Sequence, residues 1–445
     1  MTSNVALTGL AKDLKARADE GRPVRIGLIG SGEMGTDIVT RTAMMDGIDI
    51  AAIADLDPAA AHKAVEIARG APGHSTDTAT TDALNAAIEA GQTAIAPDAD
   101  AILGSGLIDV VIDATGVPAV GAQIGLNAME RGKHLVMMNV EADVTIGAYL
   151  NAEALRLGVT YSLGAGDEPS SCMELIEFAS AMGHKIVCAG KGKNNPLNID
   201  ATPDAYLDEA QQRNMNARML VEFVDGSKTM VEMAAIANAT GLIPDTPGMH
   251  GPAAGPEALA QTLIPTTDGG VLSGAGRVDY SIGKGVAPGV FVVIEAEHPR
   301  IEERLRDLKM GDGPYYTFLR PYHLTSLEVP LTCARAVLYG KADMVPLRRP
   351  VAEVCAVAKR DLKPGETLDQ IGEYCYRAWV MEAAEARQAD AIPCGILTGC
   401  QVTAPIPKGG LITQANTQIP ADSQIAALRA RQDAMLGYAK EPAHA

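Results

Sequence analysis

The stretch Val24 to Gly35, VRIGLIGSGEMG, decides the fold. Its first six residues are apolar apart from Arg25 and read as a buried strand, and a glycine-rich turn follows at once. Met34, Ile38, Val39 and Met45 then recur at helical spacing. Gly30, Gly32 and Gly35 stand at G-x-G-x-x-G spacing. That spacing allows a tight turn, a close backbone approach to a pyrophosphate and tight packing of helix on strand, with free N–H groups aimed at the anion. A second apolar run, Ile48 to Ala54, ends on Asp55, twenty positions after Gly35. In a dinucleotide site a carboxylate at this place meets the adenosine ribose. Gly30, Ser31, Gly32, Glu33, Met34, Gly35 and Asp55 are therefore the first candidates for cofactor binding.

Outward from that core, strands and helices keep alternating. Ile108 to Ile112 reads as a strand that releases Asp113, Ala114, Thr115 and Gly116. Val120, Ile124 and Ala128 mark a helix stopped by Gly132, and His134 to Met138 is a strand ending at Asn139. Ligands bind beyond the carboxyl ends of such strands, which adds Thr115, Gly116 and Asn139 to the cofactor candidates. The polar stretch from Gly70 to Thr81 reads as a surface insertion, followed by a helix over 82–90 and a short strand over 93–97. A helix over 145–158 and a strand over 159–163 continue the pattern of a parallel, doubly wound sheet.

Composition bounds what such a chain can do. With 445 residues it has room for two or three domains, and 47% hydrophobic against 4% aromatic residues indicates aliphatic cores. A formal net charge of -18 repels nucleic-acid backbones and anionic membranes, so any anionic ligand needs a local basic pocket. The seven cysteines are scattered and never in C-x-x-C spacing, which fits reduced thiols in a cytoplasm rather than a disulfide framework or a zinc site. Residues 1–20 place Leu7, Leu10, Ala11 and Leu14 on one stripe of an amphipathic lead-in helix and lack the apolar core of a signal peptide. No run is long and apolar enough to span a bilayer.

The chemistry gathers in the second part of the chain. The strand ending at Leu163 empties into Gly164-Ala165-Gly166-Asp167-Glu168-Pro169, and Ser171 and Glu174 have capping-box spacing ahead of a helix. Asp167 and Glu168 either hold a hard divalent cation or move a proton, or one of them merely caps that helix. Lys185 to Gly190 reads as a strand releasing Lys191, Lys193, Asn194 and Asn195. A helical region over 205–240 carries Lys228 and Glu232 one turn apart, which is either catalytic or a plain helical ion pair. Strands over 277–281 and 290–294 flank a tight turn at Gly283-Lys284-Gly285. Tyr315, Tyr316, Arg320, Tyr322 and His323 then crowd one run. Lys191, Lys193 and Arg320, with Asn194 and Tyr322, are the candidates for holding a substrate phosphate, since lysines act as point charges and arginine binds bidentately. His323 is as readily structural as acid or base. From Pro346 onward, Lys363-Pro-Gly-Glu-Thr-Leu368 is echoed by Pro407-Lys-Gly-Gly-Leu-Ile412, which suggests a small β module of two similar halves and a terminal helix.

The glycine turn, the Ile108 to Gly116 strand exit and Gly132-Lys133-His134-Leu135-Val136 up to Asn139 resemble the nucleotide domain of homoserine dehydrogenases. The likeness departs after Asn139, where Val140 and Glu141 replace the lysine of those enzymes, and again at Lys228 and Glu232, where their charges are reversed. Over its whole length the chain resembles the DXR-like (DRL) proteins through Asp167-Glu168, Lys191-Gly-Lys193-Asn-Asn and Arg320-Pro-Tyr322-His323, and its tail is similar to SAF (β-clip) modules. The resemblance implies an NADPH-dependent reductoisomerase acting on 1-deoxy-D-xylulose 5-phosphate. It also implies a homodimer, a divalent metal such as Mg or Mn on Asp167 and Glu168, and catalytic roles for Asp167, Glu168, Lys191, Lys193, Lys228, Glu232 and His323. Asp55 pulls toward NAD, because a carboxylate there repels a 2'-phosphate. The expected fold is α/β: a Rossmann-type domain over 1–160, an α+β catalytic and dimerisation domain over 161–345, and the SAF-like β module with terminal helix over 346–445.

Overall fold

The computed structural model describes residues 6–194, 196–213 and 215–438 and divides into two compact units. The first comprises the chain up to Asp143, Tyr149–Asp167 and Leu324–Val345; the second comprises Val144–Ala148, Glu168–His323 and the chain from Pro346 onward. No helix of the described residues is long and apolar enough to cross a membrane.

The first unit is built on seven parallel strands: β1 (Val24–Ile29), β2 (Ile48–Ala54), β3 (Ser75–Asp77), β4 (Thr93–Ala96), β5 (Val110–Asp113), β6 (His134–Met137) and β7 (Tyr161–Leu163). Their order is β3-β4-β2-β1-β5-β6-β7, so the topology reverses between β1 and β5. An all-parallel sheet is covered on both faces, which is why its inner strands read as unbroken apolar runs. One face buries Ile26, Leu28, Ile50, Ile112 and Val136 against Ile38 and Val39 of the helix Glu33–Thr42 and against Val329, Cys333 and Ala334 of the late helix Val329–Tyr339. The other face buries Ile29, Ala52 and Val111 against Leu84, Ile102 and Ala128.

Several expectations are corrected here. Gly70 to Thr81 lies at the surface as expected but is part of the fold rather than an insertion, because β3 extends the sheet beside β4, and Leu84 and Ile88 of the following helix Thr81–Glu89 enter its core. The helix expected over 145–158 runs from Val140 to Leu157; Asn139 caps it by accepting from the Ala142 N–H, a signal that lay ahead of the apolar repeat. The domain boundaries move as well. β7 belongs to the first sheet, Leu324–Val345 returns to the first unit, and the described residues from Pro346 to Tyr438 cluster with those of 168–323 instead of standing alone.

The second unit holds a five-stranded mixed sheet of β8 (Lys185–Gly192), β9 (Ile243–Pro244), β10 (Arg277–Ser281), β11 (Val290–Glu295) and β12 (Tyr315–Arg320), in the order β12-β11-β8-β10-β9. β8 runs two residues further than expected, which puts Lys191 inside the strand. β10 and β11 are separated by β8, so Gly283-Lys284-Gly285 lies in a crossover rather than a hairpin turn. The helix Glu168–Ala181 packs on β8, β11 and β12, and Ser227–Thr240 packs on β8 and β10. The first of these starts at Glu168, with Pro169 in its opening turn; Ser171 is fully buried within it and caps nothing. Residues 205–240 break into Leu207–Gln212, Ala217–Val224 and Ser227–Thr240, the last junction turning at Gly226 with φ +85°. That conformation suits glycine.

The C-terminal segment adds β13 (Ala352–Ala358) and β14 (Tyr376–Glu382), paired antiparallel and packed on the helix Ser227–Thr240, then the short pair β15 (Gln401–Val402) and β16 (Thr417–Gln418). The residues just before its two similar sequences pair, Leu362 and Ile406 exchanging backbone hydrogen bonds of 2.8 and 3.0 Å, while Thr367 bridges to Gln401 and Leu411 to Val357. The terminal helix is Gln424–Met435. All seven cysteines are buried free thiols.

Candidate active site

The carboxyl end of β1 carries the glycine turn, and its three glycines do different work. A Cβ on Gly30, which has φ +97°, would lie 2.7 Å from the Ala114 carbonyl oxygen, and one on Gly35 would run into the carbonyl oxygen of Gly30. Those two positions hold the turn against β5 and the helix against the turn. Gly32 is exposed, and a Cβ there would meet nothing within 4 Å. It stands at the N-terminus of the helix Glu33–Thr42, whose first amides have no intrahelical acceptor. An open place at a helix start is what a pyrophosphate requires, so the turn fits a dinucleotide.

Asp55, at the end of β2, is tied into the same turn. Its Oδ2 accepts from Ser31 N at 2.6 Å and Ser31 Oγ at 2.7 Å, and its Oδ1 accepts from Asp57 N at 2.9 Å. Burial pushes this carboxyl up, but the hydrogen bonds from Asp57, Ser31 and Leu56 outweigh it and hold Asp55 below its ordinary value. It is a fixed negative charge beside the turn. Glu33 is exposed and Met34 half-buried. At the end of β5, Asp113 Oδ1 accepts from Thr115 N at 3.1 Å and Thr115 Oγ1 at 2.7 Å, which fixes the Thr115-Gly116 loop. Asp113 is fully buried, and burial pushes its carboxyl up. Asn139 is 2% exposed and spends its Oδ1 as the cap described above.

In the second unit the residues singled out from sequence condense around Lys191. Its ammonium donates to Glu168 Oε1 at 2.7 Å and to Glu232 Oε2, and Glu168 Oε2 lies 3.5 Å from His323 Nε2. His323 Nδ1 is 2.8 Å from the Pro288 carbonyl oxygen, so Nδ1 carries a proton and Nε2 faces Glu168. The result is a continuous line: Glu232, Lys191, Glu168, His323. Lys191 is 5% exposed and Glu232 is fully buried. Burial alone would push Lys191 down, but the two carboxylates more than reverse this and raise it, so it is a permanent cation rather than a base. Glu232 reaches across to Lys191 on the sheet; Lys228 is the second residue of the helix Ser227–Thr240 and half-buried.

The expected phosphate cluster is only partly assembled. Lys193 is 5% exposed, and its Nζ donates to the Phe223 carbonyl at 2.6 Å. Burial, together with neighbouring Lys191, pushes it down to about 8. Arg320 is held by Glu174 at 2.8 Å and lies 4.8 Å over the ring of Tyr322. Asn194 and Tyr322 are exposed, and Asn195 lies outside the described residues. Sequence reasoning read Glu174 as a cap and missed it as the partner of Arg320; nothing in the spacing announces an ion pair between residues so far apart. For a cation, the second unit offers Glu168 Oε2 and His323 Nε2, while Asp167, one peptide bond earlier, ends the first unit.

Comparison with known proteins divides the chain in a similar way. Residues 27–163 match the pattern described as "Homoserine dehydrogenase, NAD binding domain", and residues 166–329 match "Oxidoreductase DRL, catalytic domain". None of the curated proteins compared with the chain matches it. Among solved structures it is similar to a probable dehydrogenase from Thermotoga maritima, at 15% identity over 72% of this chain and 90% of that one, with a TM-score of 0.41. It is similar also to a putative myo-inositol dehydrogenase from Sinorhizobium meliloti 1021, at 14% identity over 72% and 90%, with a TM-score of 0.39. A DOX-P reductoisomerase structure with fosmidomycin and magnesium aligns at 15% identity over 47% of this chain and 56% of that one, with a TM-score of 0.31.

Proposed function

We propose that this NAD(P)-dependent oxidoreductase, a relative of the DRL enzymes and of homoserine dehydrogenase, is a reductoisomerase that converts 1-deoxy-D-xylulose 5-phosphate to 2-C-methyl-D-erythritol 4-phosphate with NADPH. The observation that carries the reading is the line Glu232, Lys191, Glu168, His323, because the isomerisation needs a proton donor and a proton acceptor side by side. A hydroxyl proton leaves, one carbon–carbon bond migrates, and the former ketone oxygen takes up a proton. In this reading His323 receives and returns that proton, with Glu168 beside it. Lys191, with two of its three N–H donors on carboxylates, keeps the third for an oxygen on which negative charge develops. In the second half-reaction a bound nicotinamide supplies the hydride and one proton completes the alcohol. Asp167 and Glu168 are hard oxygen donors of the kind that holds Mg or Mn, and they are the residues to which we assign a divalent cation, His323 Nε2 being kept for the proton. A small phosphorylated sugar as substrate and a homodimer complete the reading.

The test is turnover: NADPH oxidation on adding 1-deoxy-D-xylulose 5-phosphate, with the branched polyol phosphate identified by mass and NMR. Oxidation with another polyol, sugar acid or amino acid but none with this substrate would replace the reading by that of a plain dehydrogenase. Asp55 favours NADH as an alternative, since its ionised carboxylate repels a 2'-phosphate. Asp55→Ala should then lower kcat/KM for NADH more than for NADPH; an unchanged ratio removes Asp55 from cofactor choice.

A further inference from the structure

Arg377 stands on β14, in the C-terminal segment that the motifs of the sequence left without a task. It is half-buried and lies 4.6 Å over the ring of Trp379, and among the described residues it has neither a hydrogen bond nor an ion pair. A guanidinium withdrawn from water without a counter-ion is costly, and burial pushes Arg377 below its ordinary value. Its acidic neighbours, Asp225 and Asp200, are already spoken for, Asp200 by Lys408 at 2.8 Å. Asp225 gives Oδ2 to Lys359 at 2.7 Å and Oδ1 to the Ser227 N–H at 2.8 Å.

Where this arginine stands is set by backbone geometry. The next residue, Ala378, donates its N–H to Ser227 Oγ at 2.9 Å, and four residues before Ser227 the Phe223 carbonyl accepts from Lys193 Nζ at 2.6 Å. Arg377 and Lys193 thus come to the same short turn, Phe223 to Ser227, from opposite ends of the sequence. Arg377 is also near enough to Tyr280 to feel its charge, and Tyr280 is in register with Lys191 across β10 and β8. Around this turn Lys191 is matched by Glu168 and Glu232, and Lys359 by Asp225. Lys193 and Arg377 stand in no ion pair among the described residues, so two cations are left without a direct carboxylate contact beside one turn.

We infer that Arg377 and Lys193 together seat the anionic group of the substrate, with Arg377 as the bidentate member of the pair. An arginine offers a planar fork to a phosphate or carboxylate, and Trp379 holds that fork flat from behind. Arg320, which sequence reasoning put in this role, is met by Glu174 instead. This inference rests on the proposal that the substrate is anionic; it requires neither a reductoisomerase reaction nor the deoxyxylulose skeleton.

Trp379 is the chain's single tryptophan, so its fluorescence reports on Arg377 without any turnover. Titrating the full chain with inorganic phosphate, against sodium chloride at matched ionic strength, should give a saturable change. Arg377→Met and Lys193→Met should each weaken that binding by tenfold or more, and Arg377→Lys should restore it in part. NADPH binding and the unfolding temperature should stay close to wild type in Arg377→Lys, which also serves if the Met variant folds poorly. Wild-type phosphate affinity in Arg377→Met and Arg377→Lys, or no saturable change in the unaltered protein, overturns the inference. Phosphate binding lost in these variants while deoxyxylulose phosphate is not turned over by wild type would retain the anion seat and reject the reductoisomerase.

Discussion

Lys191 and Arg320 occupy one register of the five-stranded sheet, both opposite Val290, and each is met by a different glutamate of a single helix: Glu168 for Lys191 and Glu174 for Arg320. Residues paired across strands share a face, so the two cations point the same way. Their surroundings differ. The Lys191 and Glu168 side chains are 6% and 12% exposed, whereas in the other pair Arg320 is 12% and Glu174 52% exposed.

Lys191→Ala should therefore remove activity and also lower stability by about 3–5 kcal/mol, because it leaves two carboxylates without their cation in a dry place. Arg320→Ala leaves behind a glutamate that is already half in solvent and should cost only about 1 kcal/mol in stability. Chemical denaturation and kcat/KM for both variants check this. A Lys191→Ala protein as stable as wild type, or an Arg320→Ala protein as crippled as Lys191→Ala, would show the burial contrast to be irrelevant.

The three turn glycines should separate by phenotype. Gly32→Ala adds a methyl where there is open space and should fold normally while weakening NADPH binding by tenfold or more, since the methyl occupies the pyrophosphate's approach. Gly35→Ala drives a methyl into the Gly30 carbonyl and should lower the melting temperature. Thermal unfolding together with nicotinamide fluorescence titration distinguishes them. Tight binding by Gly32→Ala would move the pyrophosphate elsewhere.

Activity should decline as pH rises through the range where Lys193 loses its proton. Burial first, and then Lys191, hold it at about 8, below the value of a free lysine. The charged form needed for an anion is thus present below that pH and fades above it. In Lys193→Arg the charge persists well beyond, so the basic limb of the kcat/KM profile should move to higher pH. A wild-type profile flat to pH of about 9.5, or an unmoved limb in the variant, would exclude Lys193 from substrate binding.

Asp143 gives a second, independent pH dependence, in stability. It is buried with its Oδ1 accepting from Tyr161 Oη at 2.6 Å; burial raises its carboxyl to about 6, and the tyrosine only partly opposes that. The folded protein keeps this proton up to that pH while the unfolded chain loses it near pH 4, so stability falls as pH rises between those values and stays lower above them. Asp143→Asn should flatten that decline and gain about 1–3 kcal/mol at neutral pH. Urea midpoints taken across the range decide it; a variant with the wild-type slope would mean that Asp143 ionises freely.

The nucleotide half was legible because its signals are local. Strand, turn, helix and acid follow one another within Val24 to Asp55, and period and glycine spacing suffice to read them. Lys191, Glu168, Glu232 and His323 could be named from their crowded settings, but not wired together, since Glu232 meets Lys191 only through the packing of a helix on a strand. Ser171 and Glu174 show the opposite failure: a correct spacing rule fits residues that burial and a distant arginine claim for other purposes. Arg377 carried no local signal, because a lone arginine in a β strand is unremarkable until the carboxylates around it are seen to be paired with other cations.

The helix Val329–Tyr339 sets an order on synthesis. Val329, Cys333 and Ala334 help to fill the face of the first sheet that Ile26, Leu28 and Ile112 leave open, yet they leave the ribosome long after β7 is complete. During that interval the nascent sheet has one apolar face short of its cover, while the chain of the second unit is still emerging. The nucleotide half is the first to be translated and among the last to be sealed, which makes its growing chain a natural client for chaperones that shield bare aliphatic surface.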